Sequence, residues 1–217
     1  LSANHIEKDI QVALDAGADI VMCGRCTDSA VVVGALMHEF GWGQQDNDLL
    51  ASACLAGHVV ECVQQAVGGS FTDWEDVDGW DDMGLPIVEV KADGSFIVSK
   101  PEGTGGLVSV GTVSEQILYE MGDPQAYLLP DVVCDFSEVT LTQLNENEVE
   151  VKGAKGRDAT PTYKVSATHM DGYKIMGTMM MGGRDAAKKA RKQLDAIIKR
   201  TQRLVHQACY DNYDEVS

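Results

Sequence analysis

The first forty residues show an alternation of apolar and polar positions that predicts two helices with a strand between them. Apolar residues recur at helical spacing over residues 4–16. Residues 19–23 then form a short unbroken apolar run, which is typical of a parallel strand covered on both faces. The helical pattern returns over residues 30–40, with Thr27 or Asp28 as the expected N-cap. This order of helix, buried strand, polar loop and helix predicts an α/β unit.

The middle of the chain combines a buried helix with an acidic surface segment. Residues 49–67 are apolar nearly all round, so we expect them to form a core helix. Residues 70–84 are acidic and have little periodicity, which indicates an excursion over the surface. Residues 86–90 and 96–99 alternate about Asp93-Gly94 and predict a hairpin. A glycine-rich loop and a further helix follow it.

The pattern changes after Pro130 and becomes rich in strands. We expect strands at 132–144, 149–151, 163–170 and 173–181, and an amphipathic helix at 186–205. The sequence therefore predicts Rossmann-like α/β layers joined to a β-rich α+β subdomain. The α/β part with the glycine-rich loop spans residues 1–130, and the subdomain closed by a C-terminal helix spans 131–217.

Charge and composition narrow the class of protein. The formal net charge of −17 argues against a nucleic-acid surface, because phosphate contacts need clustered Lys and Arg. The basic C-terminal helix is the local exception, and we interpret it as a solvated face. No apolar run approaches the roughly 20 residues of a membrane span, and no signal peptide opens the chain. Because the chain begins at Leu1, we expect a fragment or a processed product.

The six cysteines lie inside apolar helix- or strand-patterned segments, which is unlike a secreted disulfide framework. We therefore expect a cytoplasmic protein, or one from another reducing compartment such as the mitochondrial matrix. Cys23 and Cys26 form a C-x-x-C pair, and Cys54, His58 and Cys62 follow at four-residue steps, so a zinc site is an alternative. We expect no metal, because the second set lies within a helix that the pattern predicts to be buried core.

The polar loop that follows the predicted strand supplies the first candidate residues. In α/β sheets, ligands bind beyond the carboxyl ends of the strands, and residues 24–29 lie at that position. Arg25 is a candidate clamp for an anion, and Asp28 is a candidate base or hydrogen-bond acceptor. The alternatives are a surface ion pair for Arg25 and an ordinary helix cap for Asp28.

The buried helix carries a second candidate pair. His58 and Glu61 are three residues apart and share a helix face, so the carboxylate can orient or charge the imidazole. Burying both groups costs several kcal/mol unless they are paired or functional. We interpret them as catalytic acid/base residues, with a purely structural pair as the alternative.

The glycine-rich loop before the next helix is the third candidate. Gly103, Gly105 and Gly106 leave room for backbone N–H groups to converge on a phosphate, a carboxylate or a thioester oxygen. Thr104 and Ser109 add hydroxyl groups. The alternative is a tight turn whose glycines allow close packing, because the spacing fits neither the Walker loop nor the dinucleotide fingerprint.

Several separated motifs together closely resemble the acyclic terpene utilisation family of AtuA type, and the resemblance covers essentially the whole chain. The motifs are Gly24-Arg with Thr27-Asp-Ser29, His38-Glu-Phe-Gly-Trp42, Ala56-Gly-His-Val-Val-Glu-Cys62, Gly68-Gly69 with Asp73-Trp74, Gly84-Leu-Pro-Ile-Val-Glu89, Lys100-Pro-Glu-Gly-Thr-Gly-Gly-Leu-Val108, Leu118-Tyr-Glu120, Gly122-Asp-Pro124 and Pro130-Asp-Val132. The resemblance implies an α/β protein that is encoded beside enzymes degrading citronellol- and geraniol-type chains as coenzyme A thioesters. It also implies that an N-terminal portion of the family domain, with an earlier glycine-rich βα unit, is absent here.

Together the residues and the resemblance lead to one functional expectation. We expect a hydratase or carbon–carbon lyase of acyclic terpene or branched-chain acyl-CoA catabolism, with His58, Glu61 and Asp28 as catalytic residues. Arg25, Ser109 and residues 103–106 would bind the substrate. We expect no cofactor except coenzyme A as part of the substrate, and we expect a homo-oligomer. The alternative is a non-catalytic acyl-CoA-binding or assembly subunit of the same pathway.

Overall fold

The computed structural model describes residues 6–162, 167–172 and 174–208. The chain forms two compact units, which divide between residues 165 and 166. The boundary predicted at residue 130 therefore runs within the first unit, and strands from both sides of it pair in one sheet. The first unit contains every predicted site residue.

Four helices of the first unit follow the predicted periodicity. They are α1 (Ile6–Asp15), α2 (Ala30–Phe40), α3 (Asn47–Glu61) and α4 (Val110–Leu118), and a short 3₁₀ helix, Val63–Val67, follows α3. Residues 4 and 5 of the first predicted helix lie outside the described residues. The N-cap prediction for α2 was wrong, because Ser29 occupies that position and Thr27 instead accepts the N–H of Ala30 through its carbonyl.

The predicted strand at residues 19–23 was also wrong. These residues are irregular, and Ile20 and Met22 are 84 % and 94 % exposed. A β-strand needs a neighbour to accept its backbone hydrogen bonds, and none of the described residues forms a ladder with this segment. The apolar run alone therefore did not determine a strand.

The described strands build two antiparallel sheets. They are β1 (Ile87–Val90), β2 (Phe96–Ser99), β3 (Tyr127–Leu128), β4 (Val132–Asp135), β5 (Thr140–Asn145), β6 (Glu148–Lys152) and β7 (Lys155–Asp158). One sheet has the order β1-β2-β6-β5 and the other has the order β3-β4-β7. Every pair of these strands is antiparallel, so Rossmann-like layering is not confirmed, and the fold is a mixed α+β arrangement.

Helix α3 is the centre of the first unit. It packs against α2, α4, β4 and β7, which explains why its apolar residues extend round most of its surface. Leu50, Leu55 and Val59 from this helix join Phe96 and Val149 from the four-stranded sheet in the core. His58 lies in the last turn of this helix and is buried, and Glu61 is the last residue of the helix.

The second unit contains α5 (Ala186–Gln207), which confirms the predicted basic helix. Of the strands predicted at 163–170 and 173–181, residues 163–166 and 173 lie outside the described residues. The remaining residues of both segments are irregular and mostly exposed, so no strand forms in their described portions. In the part of the chain that the structure describes, no helix combines the length and the apolar character needed to cross a membrane.

Candidate functional site

The C-terminal end of α3 carries the polar pair that the sequence predicted. His58 and Glu61 project from the same side of the helix because they are three residues apart. Nδ1 of His58 lies 3.2 Å from Oε1 of Glu61. The His58 side chain is 4 % exposed and the Glu61 side chain 12 %, so Glu61 is the member nearer to solvent.

His58 is held as a neutral imidazole. Burial lowers its pKa because an imidazolium ion would lose its hydration, and this effect exceeds the opposing effect of the carbonyls of Ile117, Gln116 and Tyr119. Nε2 is buried and has no hydrogen-bond partner among the described residues. Nδ1 is the ring nitrogen that lies beside the Glu61 carboxyl group. A neutral His58 therefore packs against Glu61 without adding a positive charge to the site.

Glu61 lies close to a second carboxyl group, that of Asp28. The pKa of Glu61 is raised to about 7, mainly by burial, with smaller contributions from the negative charge of Asp28 and from a hydrogen bond between the two side chains. Asp28 is exposed and lies in the turn before α2. A carboxyl group with a pKa near neutrality can both accept and donate a proton at neutral pH. The structure therefore brings all three predicted catalytic residues together.

Two residues that the sequence analysis did not select belong to the same site. The ring of Tyr127 on β3 lies 5.9 Å from the ring of His58, between centroids. The pKa of Tyr127 is raised to about 12, mainly by burial and in part by the charge of Glu61. Glu120 follows α4, and its charge acts on both His58 and Glu61. The motif Leu118-Tyr-Glu120 was a signal for Glu120, whereas nothing in the local pattern indicated Tyr127.

A second pair of carboxyl groups is linked to the same turn. Glu7 on α1 is 5 % exposed, and Oγ1 of Thr27 donates to its Oε1 over 3.3 Å. The pKa of Glu7 is raised to about 7, mainly by burial, with smaller contributions from a hydrogen bond to Asp131 and from the charge of Asp131. Because Thr27 and Asp28 are adjacent, one turn contacts both carboxyl pairs. The sequence signal was the acidic Glu7 on the same helix face as the buried Ile10.

The glycine-rich loop uses its backbone donors within the protein. The N–H of Gly105 donates to the carbonyl of Asp82, and the N–H of Gly106 donates to the carbonyl of Asp78, each over 2.8 Å. Thr104 donates its hydroxyl to the carbonyl of Pro101 over 2.7 Å. An anion at residues 103–106 would have to replace these partners, so its binding there stays a prediction.

The other predicted substrate-binding residues have different surroundings. Ser109 is the N-cap of α4, where it accepts the N–H of Thr112 over 3.2 Å in a reciprocal capping box. Arg25 is exposed, and it makes no hydrogen bond or ion pair with the residues that the structure describes. No hydrogen bond among the described residues links Arg25, Ser109 or the glycine-rich loop to Glu61.

The cysteines do not assemble in the way that the zinc alternative required. Cys54 contacts Cys134 through their side chains, and Cys26 contacts Cys23. Within the described ranges, no group of three or more His, Cys, Asp or Glu residues has an arrangement that could hold a metal ion. The five described cysteines are free thiols.

Comparison with known proteins identifies a family for this chain. The family model described as "Acyclic terpene utilisation family protein AtuA" matches residues 7–215. The matched range begins within α1 and extends past the end of α5, so it includes every residue of the site described above. No match was found among curated proteins or among solved structures.

Proposed function

Because this chain belongs to the acyclic terpene utilisation family, we propose that it is an enzyme of acyclic terpene or branched-chain acyl-CoA catabolism. Its reaction is of the hydratase or carbon–carbon lyase class, on a coenzyme A thioester or a related carboxylate. The observation that carries the proposal is the Glu61 carboxyl group, whose pKa of about 7 suits it to move a proton in both directions.

Glu61 is the group that exchanges the proton with the substrate. In the hydratase form, its carboxylate takes a proton from water, and the water oxygen bonds to the β carbon of an unsaturated thioester. The electron pair of the double bond moves to the α carbon, which then receives the proton from Glu61. Positioned acid/base catalysis of this kind contributes about 10²–10⁴-fold.

His58 and Asp28 act through Glu61. His58 is too enclosed to reach a substrate directly, and its Nδ1 lies 3.2 Å from one oxygen of the Glu61 carboxyl group, which it helps to hold in place. Asp28 is exposed and lies close to Glu61, so it can relay the proton of Glu61 to solvent. Because burial keeps His58 neutral, its ring adds no positive charge that would lower the pKa of Glu61.

Arg25 is the group that we assign to the anionic part of the substrate. It is a guanidinium on an exposed segment, three residues before Asp28, without a described protein partner. A guanidinium binds carboxylate or phosphate oxygens in a bidentate manner. Residues 103–106 and Ser109 complete the proposed binding set, with the loop exchanging its internal hydrogen bonds for a ligand.

We further propose that the protein needs no cofactor beyond the coenzyme A of its substrate, forms a homo-oligomer and works in the cytoplasm or another reducing compartment. The free thiols of the five described cysteines support the reducing compartment. The second candidate function is a non-catalytic acyl-CoA-binding or assembly subunit. It would place ligand binding at a cavity of about 340 Å³ that is lined by residues such as Asp48, Lys91 and Lys152, and by none of the predicted site residues.

Turnover distinguishes these two functions. The protein is incubated with geranyl-type and other branched acyl-CoAs, and the products are followed by mass spectrometry. We expect conversion that falls at least about a hundredfold in Glu61→Gln, with no loss in the matched control Glu146→Gln, which changes an exposed glutamate on the β5–β6 turn. If the protein binds an acyl-CoA but forms no product, and Glu61→Gln binds it equally well, the result contradicts the enzyme function and supports the subunit function.

A further inference from the structure

Helix α3 ends without a glycine cap. If the helix continued, the N–H of Cys62 would donate to the carbonyl of His58, but it donates to the carbonyl of Val60 instead. Helix α2, in contrast, ends at Gly41, which has the left-handed backbone that commonly ends a helix. The last turn of α3, which carries Glu61, therefore depends on a group from elsewhere in the chain to satisfy the carbonyl of His58.

The side chain of Gln116 on α4 supplies that group. Its Nε2 donates to the carbonyl of His58 over 2.7 Å, and the residue is 0 % exposed. A carbonyl only accepts hydrogen bonds, so the atom of Gln116 that faces it must be the amide nitrogen. The same side chain hydrogen-bonds with that of Cys62, so Gln116 contacts the chain both before and after Glu61. It thereby joins α4 to the end of α3.

The amide of Gln116 is not explained by packing. Its Oε1 is buried and has no hydrogen-bond partner among the described residues, which costs free energy. An apolar side chain of similar length, such as methionine, would fill the same position without that cost. A glutamine at this position therefore needs a reason other than packing, and its bond to the His58 carbonyl supplies one.

The chain just after Glu61 is also held in an unfavourable conformation. Val63 has φ 44°, in the left-handed region that a β-branched residue rarely adopts. Such a backbone persists where the surrounding structure holds it, and α4 packs against the 3₁₀ helix Val63–Val67. Helix α4 thus holds the chain on both sides of Glu61, through Gln116 before it and through this 3₁₀ helix after it.

We propose that Gln116 is a positioning residue, whose amide holds the last turn of α3 closed and so keeps the Glu61 carboxyl group enclosed beside His58 and Asp28. The inference rests on the proposed acid/base role of Glu61. Glu61 is the last residue of α3, and its side chain is 12 % exposed, so fraying of the last turn would hydrate it. Because burial is the main cause of its raised pKa, loss of the Gln116 amide should move that pKa towards the ordinary value of a glutamate.

Gln116→Met isolates this effect, because it removes the amide, changes no charge and keeps the length of the side chain. The titratable groups that interact with Glu61 are all retained in the variant. They are His58 on α3, Asp28 in the turn before α2, Cys62 after α3, Tyr119 and Glu120 after α4, and Tyr127 on β3. A change in the Glu61 pKa therefore reports on the last turn of α3 rather than on a lost charge.

Gln11→Met is the matched control. Nε2 of Gln11 donates to the carbonyl of Met37 over 3.3 Å, and Met37 lies three residues before the end of α2, as His58 does in α3. Carbon-13 NMR of the Glu61 carboxyl group gives its pKa without any substrate, and thermal melting checks that each variant is folded. We expect the Glu61 pKa to fall by about one unit in Gln116→Met and to stay at about 7 in Gln11→Met.

A Glu61 pKa that stays at about 7 in folded Gln116→Met overturns the proposal, because the amide is then a structural contact only. An equal fall in Gln11→Met also overturns it, since any weakened helix end would then have the same effect. If Gln116→Met does not fold, hydrogen exchange of the parent protein decides. The backbone N–H of Glu61 should then be as protected as those in the middle of α3, and fast exchange at Glu61 overturns the proposal. None of these measurements uses an acyl-CoA, so their results do not depend on whether the proposed activity is found.

Discussion

Gly105 packs directly against Gly79, so closely that a Cβ on Gly105 would collide with the carbonyl oxygen of Gly79. The contact joins the glycine-rich loop to the acidic excursion over residues 70–84. The N–H of Gly105 strengthens it by donating to the carbonyl of Asp82 over 2.8 Å. Backbone atoms on both sides cannot move away as a flexible side chain would, so the two segments require glycine at this position.

We therefore predict that Gly105→Ala destabilises the protein. Overpacking of this kind costs about 3 kcal/mol when the obstructing atoms are backbone. Urea unfolding measures the loss, and Gly122→Ala is the control, because no atom lies within 4 Å of the added Cβ there. A Gly105→Ala protein that is as stable as the parent but no longer binds an acyl-CoA would instead support the predicted anion-binding role of the loop.

Ser109→Ala should lower the free energy of unfolding by about 1 kcal/mol, because it removes the N-cap of α4. Ser109 accepts the N–H of Thr112, and Thr112 accepts the N–H of Ser109 over 2.9 Å. Ser109→Asp keeps a capping oxygen and should recover most of the loss. If Ser109→Ala leaves unfolding unchanged and weakens acyl-CoA binding, the hydroxyl serves the ligand rather than the helix.

The helices could be predicted because their signal is local. The apolar periodicity over residues 30–40 and the glycine after it specify α2 and its end without reference to the rest of the chain. The run at residues 19–23 is equally apolar, but a strand depends on a partner elsewhere in the chain. The residues of the run do not themselves show whether a partner strand is present, which is why this prediction failed.

The residues of the candidate site also include some that a local pattern predicts and some that it does not. His58 and Glu61 share one helix, so their three-residue spacing was enough to predict their contact. Tyr127 and Asp131 reach the site only because the β3 and β4 region packs beside α3. Their contribution comes from tertiary structure, which a spacing pattern along one segment does not contain. Glu7 is an intermediate case. The pattern of α1 places it on the buried face of the helix, but it does not show that Asp131 is its partner.

Asp28→Asn should lower the pKa of Glu61. Burial of Glu61 stays the same, but the substitution removes the negative charge of Asp28, and an asparagine amide can donate to the Glu61 carboxylate. Glu61 therefore gains its proton at a lower pH. The part of a pH–rate profile that depends on the ionisation of Glu61 should shift to lower pH as well. Carbon-13 NMR of Glu61 checks the shift, with Glu146→Gln as the control for a lost charge. A Glu61 pKa that stays at about 7 contradicts the effect of Asp28 on Glu61.

The pH dependence of stability tests the two glutamates with raised pKa values. Glu7 and Glu61 each have a pKa of about 7 in the folded protein, against 4.5 as the ordinary value for an unfolded chain. Between these two values the folded protein keeps protons that the unfolded chain has released. The free energy of unfolding therefore falls as pH rises through this window, and it changes little from these groups outside it.

Glu7→Gln isolates the share that belongs to the buried pair on α1. Glutamine cannot ionise, and its amide can donate a hydrogen bond to the Asp131 carboxylate, so the cost of ionising Glu7 beside Asp131 disappears. We expect the parent protein to be less stable at about pH 8 than at about pH 5, and Glu7→Gln to show a smaller difference and to exceed the parent at the higher pH. Urea unfolding at intervals across this range measures both curves, and Glu146→Gln should follow the parent. If the parent is equally stable at both ends, or if Glu7→Gln shows the full difference, then Glu7 does not hold its proton in the folded state and the carboxyl pair with Asp131 is not the source of the pH dependence.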